Sequence, residues 1–416
     1  MATTRTFQDM LNDYLPNKLL KEELVKRDYL FQQMEKDNDW SGGDLIVPFK
    51  GGQASTITFG SLAASNDIAE TKNVRGSVTS QPEVWGSLIF NHKDLMQHGK
   101  VSEQNLLKML PDMIEDFMDY FKEVSSINLL GGPHFATLTA DASANDGLIT
   151  VDHPERFHFD QKVLVDDDNS TPITGYVKGI NMNTGVILLH TSRTSGVVFD
   201  FSAVGADMTT AQNAKCYHDG AQSNSFTSLK SALLSAANGG SATLYGQTKT
   251  SYPYLQAINI DGTAITAANI MSSIFDALTT VRNRGKGKPS DVAMSYKNFG
   301  SCLKVIEGSK GAYTVVPESR KASQYGWDEV EIGSVKGRLK LVGIQEMDDD
   351  VIYFIDWRAI KFYSNGLFQK RVSPEGKMYF ESRATTGYSY IVDIALMGDL
   401  ILERPSYCGV IHTVAY

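Results

Sequence analysis

VSEQNLLKMLPDMIEDFMDYFKEVSSINLL, residues 101–130, is the stretch from which the fold is read. Leu106, Leu110, Met113, Phe117, Phe121 and Val124 recur at steps of three and four, which lines them along one face of a helix. Met109, Ile114, Met118 and Ile127 widen that stripe beyond a coiled-coil seam. Ser102 is placed to cap the start, and Gly131, Gly132 and Pro133 stop the helix. A helix of this length spans ~45 Å. Pro111 removes one backbone donor and is expected to bend it. Such a helix is a strut for other elements. A plain core helix of a globular enzyme is the competing interpretation, and the flanking segments decide between them.

Upstream, residues 1–43 read as an arm. Positions 16–36 predict a charged helix with Leu20, Leu24, Phe31 and Met34 on a thin apolar face, too thin for a core of its own. The loop DNDWSGG, residues 37–43, breaks it and offers Trp40 as an apolar anchor. Residues 44–95 predict an outgoing strand at 45–49 and a return strand at 84–90. Between them lies a connection rich in Gly, Ser, Thr and Asn. Connections of this length are uncommon in compact domains unless they serve a function. An extended hairpin lying on a neighbour explains it, with a mobile active-site lid as the rival.

Downstream the helical signal stops. Residues 134–220 carry short strands at 148–151, 157–159, 162–165, 175–180, 186–190 and 197–201, with Asn183-Thr184-Gly185 as hairpin-turn chemistry. This predicts an inserted small β-barrel or sandwich. Asp166, Asp167 and Asp168 lack the glycine and closing glutamate of a calcium loop and read as a solvated turn. Residues 221–350 return to mixed α/β, with helices expected at 227–237, from a Thr266 cap through Val281, and at 297–307, and strands at 291–295, 337–342 and 351–355. Arg282, Arg284, Lys286 and Lys288 follow the second helix. Cations there complement the helix dipole; a phosphate-contacting loop is the sharper reading. Residues 356–416 are β-rich and are expected to pack under the long helix.

The 416 residues allow two or three domains. A net charge of −9 excludes a protein that wraps nucleic acid by overall charge. Three cysteines, Cys216, Cys302 and Cys408, argue against a disulfide framework. No secretory signal or apolar run of membrane-spanning length is present, so no membrane partner is expected. Phosphate-loop, nucleophile-elbow, zinc-helix and Cys-x-x-Cys patterns are absent, and the eight histidines are scattered. The expectation is a non-enzyme without cofactor or metal.

The order of arm, long hairpin, strut helix, α/β domain and returning strands resembles the major capsid protein of tailed bacteriophages, the Hong Kong 97 type. The phrases carrying the resemblance are Ser241-Ala242-Thr243-Leu244-Tyr245-Gly246, Tyr252-Pro253-Tyr254-Leu255, residues 288–295 (KPSDVAMS) and residues 351–356 leading into Lys361-Phe362-Tyr363. The resemblance implies an α+β tailed-phage capsid fold. Its parts would be an N-arm (1–43), an extended β-hairpin loop (44–95), a spine helix with the peripheral domain (96–133), an inserted β domain (134–220), an apical domain (221–350) and return strands of the peripheral domain (351–416).

It further implies a structural protein that self-assembles as hexamers and pentamers into an icosahedral shell enclosing double-stranded DNA, without sequence-specific DNA binding. A portal, a separate scaffolding protein and a decoration protein are the implied partners, the virion the implied location, and the host bacterial cytoplasm the place of assembly. Expected assembly contacts are Leu24, Phe31, Trp40, Lys50, Thr58, Phe59, Lys72, Arg75, Phe117, Phe121, Arg282 and Arg284. Lys50, Lys72 and Asn365 map loosely onto the lysine–asparagine cross-link of some members, without a matching motif. A negative chain suits packaged DNA, since a strongly basic wall would hold phosphates. An encapsulin-type compartment is the alternative, and a glycan-binding or tail-associated module the alternative from another class.

Overall fold

The computed structural model describes residues 28–40, 43–49, 74–79, 81–91, 103–142, 146–166, 172–194, 196–201, 214–308, 315–316, 329–334, 337–377, 379–384 and 387–414. The chain divides into two compact units. One combines Met1–Ser126 with Thr227–Tyr416; the other is Ile127–Phe226.

In the first unit the strut is a helix over Glu103–Leu130. Along its described side chains Ile114, Met118 and Phe121 are buried, while Phe117 and Val124 are half-buried. Phe121 lies against Phe368, ring centroids 5.8 Å apart. The sheet beneath is built on Gly387–Met397, which pairs with Glu83–Asn91 on one side and with Phe368–Lys370 and Phe380–Ala384 on the other. In the strand Glu83–Asn91, Leu88 and Phe90 are buried and Trp85, Ser87 and Ile89 are exposed. That is the alternation of a sheet with one covered face.

A second sheet of seven strands runs in the order Ile258–Asp261, Gly409–His412, Ile352–Ile355, Asp291–Ser295, Gly337–Ile344, Glu329–Ser334, Val315–Val316. The pairs Ile258–Asp261 with Gly409–His412 and Asp291–Ser295 with Gly337–Ile344 are parallel; the rest are antiparallel. Helices Ile270–Thr280 and Tyr296–Gly308 supply Ile270, Ile274, Leu278, Phe299 and Cys302 to its core. Every residue of Asp291–Ser295 is buried, which explains its unbroken apolar centre Val292-Ala293-Met294.

The second unit is a closed barrel of six strands, in the order Lys215–His218, His134–Ala140, Leu148–Val151, Val186–His190, Ile173–Asn181, Lys162–Asp166. Phe135, Val163, Val177, Ile187, Leu189 and Cys216 fill it. Closure leaves no free edge.

Several sequence expectations change. Of the arm helix expected at 16–36, residues 16–27 lie outside the described residues; among the described ones the helix covers Tyr29–Gln33, and Glu35–Asp37 is instead a strand parallel to Ile360–Tyr363, because Met34 is already extended and a pairing edge is available. The outgoing strand Leu45–Pro48 pairs with Arg75–Val78, not with the return strand, whose ladder is taken by Gly387–Met397. The helix expected at 227–237 shrinks to Leu229–Leu233, capped by Ser228, followed by a turn at Ala236–Asn238. The next helix starts after Asn269 rather than Thr266. Ile352–Ile355 and Gly409–His412, expected among the returning strands of the peripheral domain, belong instead to the seven-stranded sheet. Both are buried except at His412 and take interior places in that sheet. Residues 157–159 form no strand, and of 197–201 only Val198 bridges, to His190.

Candidate assembly surface

The ladder Leu45–Pro48 with Arg75–Val78 holds the two ends of the polar connection 49–74 side by side, Pro48 opposite Arg75. Its seat is Tyr245. The amide of Ser77 donates to the Tyr245 carbonyl at 3.0 Å, and Gln247 Nε2 donates to the Arg75 carbonyl at 2.9 Å. The Phe49 ring stacks on the Tyr245 ring, centroids 6.0 Å apart. Gly76 passes so close that a Cβ there would meet Tyr245 Cβ at 2.7 Å.

Tyr245 is itself locked. It sits with Gly246 in the tight turn between Thr243–Leu244 and Gln247–Thr248, both at positive φ (46° and 77°). The tyrosine conformation is unusual for a side-chain-bearing residue. What holds it is the hydroxyl, which donates to the Leu400 carbonyl at 2.7 Å and accepts the Leu402 amide at 3.0 Å. Burial and the neighbouring Asp399 charge push the phenol's pKa well up, so it stays neutral. Asp399 accepts from Thr227 N (2.6 Å), Thr227 Oγ1 (2.8 Å) and Leu400 N (2.8 Å). Burial nevertheless raises its pKa to about 6.

The first unit shows apolar side chains to solvent: Ile46 on the ladder is 59% exposed, and Trp85 and Ile89 on the strand Glu83–Asn91 are 50% and 53% exposed. On the same outward face of the four-stranded sheet, Ser87 donates to Asp393 at 2.7 Å, and Arg371 pairs with Asp393 at 3.7 Å while covering the Phe380 ring. Apolar side chains beside a satisfied polar pair make a surface of the composition that protein interfaces use.

Of the contacts expected from sequence, Leu24, Lys50, Thr58, Phe59 and Lys72 lie outside the described residues. Arg75 is exposed at the ladder. Phe31 and Trp40 do not present a surface. Phe31 is fully buried with its ring edge-on to Phe362, centroids 5.1 Å apart. Trp40 is buried and donates Nε1 to the Gly43 carbonyl at 2.7 Å. Phe121 is likewise buried within its own chain, and Phe117 is half-buried against it. These four rings pack within their own subunit. Arg282 and Arg284 stand in a π-turn, Val281–Gly285, away from the ladder in sequence. Sequence reasoning missed Tyr245 as the clamp and Trp85 and Ile89 as exposed. The Tyr-Gly pair between two short β runs was the available signal for the first.

Among the described residues no group of histidine, cysteine and carboxylate side chains is placed to hold a metal ion, and no helix is long and apolar enough to cross a membrane.

No family model matches the sequence, and no curated protein matches it. Several solved structures align with the chain. The capsid protein of a native gene transfer agent particle aligns over 93% of this chain and 90% of its own, at 10% identity and a TM-score of 0.45. The capsid protein of cyanophage A-1(L) aligns over 100% and 95%, at 11% identity and 0.41. The SrpI encapsulin of Synechococcus elongatus aligns over 99% and 92%, at 7% identity and 0.40.

Proposed function

We propose that this chain is a structural shell protein, the major capsid subunit of a tailed-phage particle, assembling as hexamers and pentamers into an icosahedral container for double-stranded DNA. The observation that carries the reading is the clamped ladder. The two strands that flank the polar connection are paired with each other and seated on Tyr245, and Ile46 on that ladder is exposed. A seated ladder that shows an apolar side chain to solvent offers a surface for another copy. The contact is between unlike surfaces, so it propagates around rings.

In this reading residues 1–43 are the arm and 44–95 the extended loop. The long helix and the sheet on Gly387–Met397 form the peripheral domain, the seven-stranded sheet the core of the apical domain, and the barrel an insertion. Partners are copies of the chain, with a portal, a separate scaffolding protein and a decoration protein. The location is the virion, after assembly in a bacterial cytoplasm. The exposed contacts are Ile46, Arg75, Trp85 and Ile89.

The experiment is negative-stain electron microscopy with light scattering on the purified chain, expressed with and without a candidate scaffold. Closed angular shells, tubes or sheets of rings support the reading. Trp85→Asp with Ile89→Asp, both at exposed positions, is expected to leave the monomer folded and abolish the rings.

A further inference from the structure

Five cations stand on three separate chain segments whose backbones pack together around residues 406–407. Arg284, Lys286 and Lys288 follow the helix Ile270–Thr280 and are exposed; Arg358 is exposed on the turn after Ile352–Ile355; Arg404 is half-buried. The juxtaposition is fixed by backbone packing. A side chain on Gly285 or Gly287 would collide with the carbonyls of Ser406 and Tyr407. Arg404 lies over the Tyr407 ring at 5.1 Å and donates to its hydroxyl at 2.9 Å. Asp356, buried, receives the Lys288 amide at 3.0 Å and Arg358 Nε at 2.9 Å and Nη2 at 2.6 Å.

The helix dipole accounts for cations just past Thr280. It does not account for Arg358 and Arg404, which belong to other segments. Among the described residues, Asp356 is the one carboxylate bonded to any of these five side chains, so four charges remain unmatched. The chain as a whole carries −9, so this concentration runs against its mean. After the π-turn Val281–Gly285, with Lys286 in the left-handed region (φ 60°), exposed Arg284, Lys286 and Lys288 alternate with buried Gly285, Gly287 and Pro289, so the cations are left facing solvent.

We infer that this patch is a phosphate-binding surface for the backbone of double-stranded nucleic acid, blind to sequence because lysine and arginine on an open surface meet phosphates rather than base edges. It rests on the shell reading only for the source of the DNA. One confined patch on an acidic subunit gives each copy a weak, salt-sensitive hold, while the rest of the subunit repels the polymer and keeps it mobile.

The test is fluorescence anisotropy of a short mixed-sequence DNA duplex titrated with the full chain between about 50 and 200 mM salt. The triple variant Arg284→Gln, Lys286→Gln and Lys288→Gln is compared with a control of equal charge loss, Lys297→Gln, Lys304→Gln and Arg338→Gln, all exposed on the same unit. The triple variant should bind at least ~10-fold more weakly, and its log–log salt slope should fall by two to three, at ~0.9 per phosphate released. The control should stay within about twofold of the parent.

A parent chain that does not bind DNA at the lowest salt overturns the inference, and so do equal losses in both variants. A triple variant that binds DNA normally but no longer forms rings also overturns it, making the patch a contact between copies. If the DNA result holds and no shell forms under any condition, the shell reading alone fails.

Discussion

Gly86 lies directly beneath the ring of Phe117: a Cβ on Gly86 would stand 2.5 Å from Phe117 Cζ and 3.0 Å from Phe121 Cδ2. This is where the return strand and the long helix meet, and the missing side chain sets how closely they approach. Gly86→Ala is expected to destabilise the first unit by about 1–3 kcal/mol, the usual cost of overpacking. Gly86→Val should cost more. Because the obstacle is a half-buried ring, Phe117→Leu should recover much of the loss in the double variant. Denaturant unfolding of the four proteins checks it; additive effects would contradict direct contact.

Tyr245→Phe removes one buried donor and one buried acceptor and leaves the Leu400 carbonyl and Leu402 amide without the hydroxyl. The expected loss is about 1–3 kcal/mol. Amide hydrogen exchange at Leu402 and Ser77 should speed up, the second because the Tyr245 carbonyl that Ser77 uses depends on the locked turn. Unchanged exchange at Ser77 would separate the ladder from its seat.

Asp399 gives a pH dependence with a definite sign. Its pKa is about 6 in the fold and 3.8 as the reference. Between those values the folded chain holds a proton that the unfolded chain has released, so stability falls as pH rises from about 4 to about 6, by up to ~3 kcal/mol at 1.36 kcal/mol per unit. Asp399→Asn keeps an acceptor for Thr227 and Leu400 and carries no charge, so it should flatten that slope and be no less stable than the parent at pH 7. Midpoints of urea unfolding from pH 4 to 7 measure it; a slope that survives the substitution would assign it to another group.

The barrel should fold alone. Its strands close on themselves, and its ends are tied by the amide of Phe226 donating to Asn128 Oδ1 at 3.1 Å. Residues 127–226 expressed separately should unfold in one cooperative transition with a β-type circular dichroism spectrum. Asn128→Ala should lower the midpoint by removing this buried hydrogen bond, worth about 0.5–1.5 kcal/mol. An unfolded fragment would contradict an autonomous unit.

The helix 103–130 was legible because a 3.6-residue apolar period over that length has few other solutions. Strands Asp291–Ser295 and Ile352–Ile355 were legible as short apolar runs, but which sheet took them was not. Pairing is a long-range choice, and Gly409–His412 entering the same sheet carries no local mark. The barrel's two closing strands, His134–Ala140 and Lys215–His218, escaped notice because neither alternates cleanly; a register shift falls between Cys216 and Tyr217. The surface was least legible. Phe31 and Trp40 were expected outside because the arm looked thin, yet the arm strand Glu35–Asp37 adds to Ile360–Tyr363, and Phe31 finds Phe362 in the interior. Trp85 and Ile89 alternate like any strand residues, and only the pairing shows that their face is the uncovered one.

The central claim is tested most directly by electron microscopy of the purified chain, with light scattering on the same sample. The expected result is hexameric rings that close into angular shells or extend into tubes and sheets, lost in the Trp85→Asp, Ile89→Asp variant. A folded monomer or small closed oligomer under every condition, scaffold included, would contradict it.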